Sequence, residues 1–514
     1  MTCTSMLLLT ACSTLPVREA VTPTYAYQIQ TQGSYLQSLF QAEKQKHPDL
    51  TGFHVLNDAN DALMTRLELI ERAEKSIDLQ YYIWDNDKVG ALAVQALLRA
   101  ADRGVKVRLL IDDNNAKEMQ SAYLAMSQHP NIQVRLFNPY RFRHFRVLDI
   151  VLDFNRINRR MHNKTFIVDQ QVALIGGRNM SNQYYNVGEN FQFSDMDVVL
   201  VGQAVGDIVH SFDEYWNHDY AYPVAQLQKD PTRLSYASLR KQLDHHWQNS
   251  NIASTLSHPL GRGKFDQWFN EELDLEWVKA KVITDPADKI SQKADETQYL
   301  SSALKQELNT PTKQIDLVSA YFVPEDKDLE IMRTLHQQGI QTRILTNSFK
   351  ANDVSIVHAF YAPKRVEILK QGIELYEFLP VLPLSLTHRE RMKIFGERFN
   401  REGLGRSSLH AKFLALDNQQ VFIGSYNFDP RSTYLNSEIG VVLNSPKLAN
   451  AIHNSMQKDI MHYAYKLELD ENQRMIWKQQ TEHGIEIHHT EPKMKWWQKV
   501  GLKFLGKLPL EKQM

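Results

Sequence analysis

The chain has 514 residues and a mass of 59.6 kDa, enough for two to four domains that each bury a core. Its 59 Lys and Arg nearly balance 60 Asp and Glu, so no broad positive field marks it as a bulk nucleic-acid binder. Two cysteines, Cys3 and Cys12, exclude a disulfide framework and a Cys-rich metal site, and no apolar run is long enough for an ordinary transmembrane helix.

At the amino terminus, a short apolar stretch ends in Leu9-Thr10-Ala11-Cys12. It resembles the lipobox of a bacterial lipoprotein signal, in which Cys12 is acylated and becomes the first mature residue. Residues 1–12 are then the signal, and the chain is lipid-anchored on the periplasmic side of a bacterial membrane. No Lys or Arg precedes Arg18, so a misplaced start or a frayed terminus is the other reading. Residues 13–57 form an N-terminal segment whose Gln-, Thr- and Tyr-rich part is expected to lie over the first domain.

From residue 58 the pattern predicts a helix over Ala59–Glu74, a strand over Ile77–Ile83, a helix over Val89–Asp102 and a strand over Val105–Ile111. From residue 298 the same order returns, with strands over Ile315–Tyr321 and Ile340–Leu345. In both copies a glycine, Gly104 or Gly339, ends the helix and β-branched residues open the next strand. Alternating strands and helices predict an α/β fold with largely parallel sheet. The recurrence predicts two duplicated domains, 58–222 and 298–465, around an insertion at 223–297 with Asp285–Thr297 as linker. The tail, 466–514, ends in a lysine- and tryptophan-rich segment (493–512), which reads equally as membrane-seeking or as a helix packed on the protein body.

One constellation occurs twice. Met161-His162-Asn163-Lys164 runs on to Asp169, Gly176, Gly177 and Asn179; Leu409-His410-Ala411-Lys412 runs on to Asp417, Gly424, Ser425 and Asn427. Both copies read His-x-Lys-x4-Asp-x6-Gly-x2-Asn. Residues two apart on a strand share a face, which pairs His162 with Lys164 and His410 with Lys412. Each Asp falls at a turn, where it is better placed to shape a hairpin than to touch substrate. The Gly permits close backbone approach, and Asn179 and Asn427 could then hydrogen-bond an oxyanion.

An ammonium beside an imidazole repels a metal cation and attracts an anion, so no metal or cofactor is expected. Two such pairs from opposite halves would surround one phosphate. One neutral His could attack phosphorus and the other, protonated, could donate to the leaving oxygen; an imidazole pKa near 6.5 makes both states available at neutral pH. Arg141, Arg143, Arg146, Arg156, Arg159 and Arg160 precede the first motif, and a second basic cluster from Arg389 to Arg406 precedes the other. They read as a rim for anionic headgroups.

The duplicated motif resembles that of the phospholipase D superfamily, and stretches such as Leu79-Gln80-Tyr81-Tyr82 and Asn427-Phe428-Asp429-Pro430-Arg431 resemble bacterial cardiolipin synthases, particularly the C type. The resemblance implies two phospholipase D-like domains related by a pseudo-twofold, with the active site at their interface. It implies metal-independent transphosphatidylation through a phosphatidyl-histidine, from phosphatidylglycerol or phosphatidylethanolamine to phosphatidylglycerol at a membrane surface. It places His162, Lys164, Asp169, His410, Lys412 and Asp417 in the catalytic set, with His162 as nucleophile and His410 as acid. Gly177, Asn179, Ser425 and Asn427 fall on the substrate side, and Asp197 and Glu438 are the acids that orient the imidazole of their own motif. A phospholipase D hydrolase releasing phosphatidic acid is the first alternative and a nuclease the second. An accessory partner is left open.

Overall fold

The computed structural model describes residues 15–187, 192–227, 234–249, 275–380 and 407–506. Ten strands come from the first half and its continuation: β1 (Thr51–Leu56), β2 (Ser76–Tyr81), β3 (Lys106–Asp112), β4 (Ile132–Phe137), β5 (Thr165–Val168), β6 (Val172–Gly176), β7 (Gln192–Ser194), β8 (Asp197–Gly202), β9 (Ala221–Pro223) and β10 (Glu276–Val278). The second half contributes β11 (Ala280–Thr284), β12 (Gln314–Ser319), β13 (Gln341–Asn347), β14 (Glu374–Phe378), β15 (Ser407–Leu409), β16 (Lys412–Leu416), β17 (Gln420–Gly424) and β18 (Ile439–Leu443). It ends with β19 (Ala464–Leu469), β20 (Met475–Thr481) and β21 (Gly484–His488).

They build two large sheets, ordered β10-β1-β8-β6-β5-β2-β3-β4-β9 and β11-β18-β17-β16-β12-β13-β14-β19-β20-β21. The core orders correspond: β8-β6-β5-β2-β3-β4 in one and β18-β17-β16-β12-β13-β14 in the other. Within the large sheets only β2-β3-β4 and β12-β13-β14 pair in parallel. The expectation of a largely parallel sheet is therefore corrected to a mixed one. After each His-x-Lys strand the chain reverses within a few residues, which permits only antiparallel pairing.

Local signals explain the elements. Asp58 caps the helix Ala59–Arg72 by accepting from the backbone N–H of Asn60 and Asp61, and Asp87 caps Lys88–Asp102 through Gly90. Gly104 (φ +98°) and Gly339 (φ +78°) take the left-handed conformation that ends a helix and starts the next strand. The duplication extends to buried charge. Asp78 on β2 pairs across to Arg108 on β3, with bonds of 2.6 and 2.8 Å, and Asp316 on β12 pairs with Arg343 on β13 at the same lengths.

The sheets meet through β6 and β8 of the first against β17 and β18 of the second, and one hydrophobic core takes in residues of both halves. The helix Gln203–Asn217 packs on β11, and its Tyr215 hydroxyl donates to the Asp285 carbonyl at 2.8 Å. The boundaries differ from expectation. β1 lies ahead of residue 58 yet pairs with β8 and β10 in the first sheet, and β19 to β21 carry the second sheet past residue 465 to 488. The chain crosses between the sheets at Lys279, and the expected linker is folded: Asp285 and Lys289 form a buried ion pair of 2.9 Å. Of its other charges, Lys293, Asp295 and Glu296 are exposed. The segment before residue 30 lies along the helix Gln203–Asn217, with Ala26 N–H donating to Asp213 and Thr24 N–H to Asn217.

Candidate active site

Each catalytic segment enters its sheet along a short bridge from the other half. His162 N–H donates to the Ser437 carbonyl at 2.9 Å, and His410 N–H donates to the Ser194 carbonyl at 2.7 Å. The second contact extends the small parallel sheet of β15 and β7, in which Leu409 lies opposite Ser194. Behind the bridges, the Asp112 carboxylate receives Met161 N–H at 2.9 Å, and the Asn347 side chain pairs with both backbone groups of Leu409. Asp112 and Asn347 end the equivalent strands β3 and β13.

The imidazoles are held by carboxylates from the opposite half. His162 Nδ1 lies 2.9 and 3.0 Å from the two Glu438 oxygens, and His410 Nδ1 lies 2.6 Å from Asp195 Oδ2. A carboxylate fixes an Nδ1–H tautomer, which leaves Nε2 as the nitrogen with the lone pair. Two expectations are corrected. The acids serve the other half's histidine, because docking of the lobes places each acid over the opposite motif. The acid on His410 is Asp195, not Asp197: Asp197 begins β8 and is buried 2.8 Å from Arg66 and 3.4 Å from Arg178. A signal for Asp195 exists in the sequence, where a Ser-acid dipeptide, Ser194-Asp195 or Ser437-Glu438, precedes each last core strand.

Lys164 Nζ donates to the His162 carbonyl at 2.7 Å, and Lys412 Nζ donates to the His410 carbonyl. Lys412 Nζ also lies 2.9 Å from His410 Nδ1. Because that nitrogen already gives its proton to Asp195, the approach is one of charge against ring rather than a second hydrogen bond. All four groups are buried. Burial lowers the His162 pKa to about 4 and that of His410 to about 3, and nearby ammoniums push the same way against the carboxylates. Lys412 acts on His162 and Lys164 on His410, so the two halves share one electrostatic neighbourhood. Burial also brings Lys164 to about 7 and Lys412 to about 8. The expectation of an imidazole pKa near 6.5 is thus corrected: desolvation holds both rings neutral at pH 7.

The remaining expected residues separate into two groups. Gly177 and Ser425 are equivalent and both serve an acid. A Cβ on Gly177 would stand 2.2 Å from Asp195 Oδ1, whereas the hydroxyls of Ser425 and Ser432 donate to Glu438. Asp169 and Asp417 sit at the far ends of β5 and β16, both with positive φ. Asp169 accepts from the backbone N–H of Glu74, Lys75 and Ser76, and Asp417 from Thr312, Lys313 and Gln314. They tie the hairpin to the start of β2 and β12, as their turn position suggests, so their placement in the catalytic set is corrected to a structural one. Asn179 is also committed, accepting from Ile83 N–H at 3.0 Å and donating to the Tyr184 hydroxyl at 2.8 Å. Asn427 Oδ1 is buried without a hydrogen-bond partner among the described residues. Cys12 and the basic cluster from Arg389 to Arg406 lie outside the described residues.

Sequence reading missed the aromatic walls. Tyr82 meets His162 edge-on at 5.1 Å, and Tyr184 meets His410 likewise. It also misread part of the basic rim: Arg156 and Arg160 are buried, with Arg156 on Asp149 and Asp153 and Arg160 on Asp112. Paired imidazoles with fixed tautomers, beside buried ammoniums, form a centre for nucleophilic and acid–base chemistry on an anion.

The solved phosphatidylserine synthase of Haemophilus influenzae Rd KW20 has a similar fold, with a TM-score of 0.55 at 13% identity, covering 93% of this chain and 100% of that one. Cardiolipin synthase C of Escherichia coli (strain K12) is 38% identical over 91% of this chain and 97% of its own length. A cardiolipin synthase of Geobacillus thermodenitrificans is 24% identical over 79% and 66%. The family model described as cardiolipin synthase, PLD-like domain, matches residues 67–218 and again 304–460, the two copies of the motif. The chain belongs to the cardiolipin synthase family with phospholipase D-like domains, and is a phospholipid-modifying enzyme of that superfamily.

Proposed function

We propose that the protein is a phosphatidyltransferase that makes cardiolipin through a phosphatidyl-histidine. The observation that carries this reading is the crossed pair of carboxylate–imidazole contacts, each leaving one Nε2 for chemistry. His162 Nε2 attacks phosphorus of a donor phospholipid and forms the N–P bond. The P–O bond to the donor's alcohol breaks, and that oxygen takes a proton from His410. A phosphatidylglycerol hydroxyl then loses its proton to His410 and attacks phosphorus, the N–P bond breaks, and cardiolipin leaves. The donor is phosphatidylglycerol, releasing glycerol, or phosphatidylethanolamine, releasing ethanolamine.

Local electrostatics support the division of labour. Lys412 crowds the His410 ring, which makes its imidazolium the readier proton donor, while Lys164 gives its hydrogen bond to the His162 carbonyl and lies over the Tyr82 ring. An anionic phosphodiester offsets the burial that keeps both rings neutral and draws in the proton the acid needs. Lys164 and Lys412 hold the charge of the five-coordinate phosphorus. Acylation at Cys12 belongs to the same reading and would tether the enzyme on the periplasmic side; Cys12→Ser should then shift it out of the membrane fraction.

The test is lipid mass spectrometry of a host lacking cardiolipin synthases. Wild type should restore cardiolipin and His162→Ala should not. Phosphatidic acid without cardiolipin would replace this reading with a hydrolase.

A further inference from the structure

The helix Arg146–Leu152, which leads into the first catalytic segment, is inside out. Phe145, Val147 and Val151 are 73%, 69% and 74% exposed, and Leu148, Leu152 and Phe154 are also exposed. Its polar groups point the other way. Asp149 is buried and accepts from the backbone N–H of Arg141 and Phe142 at 3.1 and 2.7 Å. Arg146 donates to the Asn114 carbonyl at 2.8 Å and lies over the Tyr140 ring. Water is a poor solvent for that face, and a contiguous apolar patch of this kind marks a contact surface.

A second such helix, Trp496–Leu505, belongs to the other half. Trp496 is 80% and Phe504 69% exposed, and Lys495 and Lys499 are exposed beside them. Both helices border the site. Arg146 touches Asn114, whose side chain donates to the Tyr82 hydroxyl at 3.1 Å, and Tyr82 walls His162. The C-terminal helix packs on the helix Ser355–Tyr361. Just before that helix, Asp353 receives the Tyr321 hydroxyl at 2.8 Å and feels the charge of Lys412.

Charge selects the occupant. No acid occurs from Lys493 to Leu505, the one acid from Tyr140 to Leu152 is the buried Asp149, and exposed Arg141, Lys495 and Lys499 flank the apolar faces. Apolar residues ringed by cations, with tryptophans among them, fit the headgroup layer of an anionic bilayer. We propose that the helix Arg146–Leu152, together with the C-terminal helix, inserts into such a surface and presents the mouth of the site to it, so that lipid enters without crossing water. This rests on the reading that the site takes phospholipids.

The experiment is hydrogen–deuterium exchange of the full-length His162→Ala protein, which keeps vesicle composition constant. Phosphatidylglycerol vesicles should slow exchange of 145–154 and 496–505 by about fivefold or more, and phosphatidylcholine vesicles less. The double variant Val147→Asp/Val151→Asp should lose roughly tenfold in vesicle affinity with its melting curve unchanged, because both side chains already face water. Unchanged vesicle affinity of that variant overturns the proposal. So does slow exchange of 145–154 in lipid-free buffer, which would place protein on that face. If wild type makes no cardiolipin while 145–154 are protected by vesicles, the transferase reading fails and the lipid-facing surface stands.

Discussion

The two halves of the site are built on one plan and finished differently. Glu438 stands among hydroxyls, with Ser425 and Ser432 donating to it while it holds His162. Asp195 stands among cations: its carboxylate is held well below the usual range, against the effect of burial, by His410, Lys412 and Arg178. Where the second half has Ser425, the first has Gly177, because the shorter, closer Asp195 leaves no room for a Cβ. The same two-residue recipe of acid and imidazole thus yields one acid hydrogen-bonded by neutral hydroxyls and one set among cations. That contrast teaches how a duplicated scaffold separates a nucleophile from an acid.

The largest expected effect breaks the symmetry outright. His162→Asn and His410→Asn should each lower transfer by about a thousandfold or more. Intact-protein mass after mixing with short-chain phosphatidylglycerol should reveal a phosphatidyl adduct only in His410→Asn. An adduct on His410 in His162→Asn would reverse the assignment. Next, Gly177→Ala forces Asp195 aside and should slow turnover by about a hundredfold, whereas Ser425→Gly at the equivalent place removes one of two hydroxyls and should cost only a few-fold. Equal losses would show that the halves are interchangeable.

Asp195→Asn and Asp197→Asn sharpen the comparison within one half. The first should slow turnover by roughly tenfold to a hundredfold and also lower the melting temperature, because a carboxylate held below its usual range stabilises the fold. The second strands Arg66 and Arg178 in the interior, should cost about 3–5 kcal/mol in stability, and should leave the folded fraction active. The smallest effect is in pH. As pH rises through about 7 and 8, Lys164 and Lys412 lose charge, so kcat/KM should fall. Stability should move the opposite way. A buried lysine whose folded pKa lies below its unfolded value of 10.5 leaves the unfolded chain with more bound protons between about 7 and 10.5, so the melting temperature should rise across that window. Parallel pH profiles of activity and melting would refute the lysine assignments.

Much of the site is legible in the sequence because its signals are local. The spacing of His162 and Lys164 marks the motif, although both residues precede β5 rather than lie in it, and the turn position of Asp169 announces a hairpin residue. The errors arose where chain spacing stopped being a guide. The family resemblance pairs Asp197 with Glu438, yet strand register makes Asp197 the partner of Gly176 and places Gly440 opposite Gly424. Asp195 is therefore the counterpart of Glu438. The charged stretch after Thr284 looked like a linker because the Asp285–Lys289 pair and its burial are tertiary facts.

By itself, the sequence determined that the chain is duplicated, that each copy carries an imidazole and an ammonium two residues apart, and which family that motif marks. These follow from periodicity and spacing, which act over a few residues. Only the tertiary structure decided that each histidine is oriented from the opposite half, that its acid is Asp195 or Glu438, and that both rings are neutral near pH 7. Those depend on which surfaces dock and how much water they exclude, and desolvation and through-space charge act between groups that the chain itself keeps far apart.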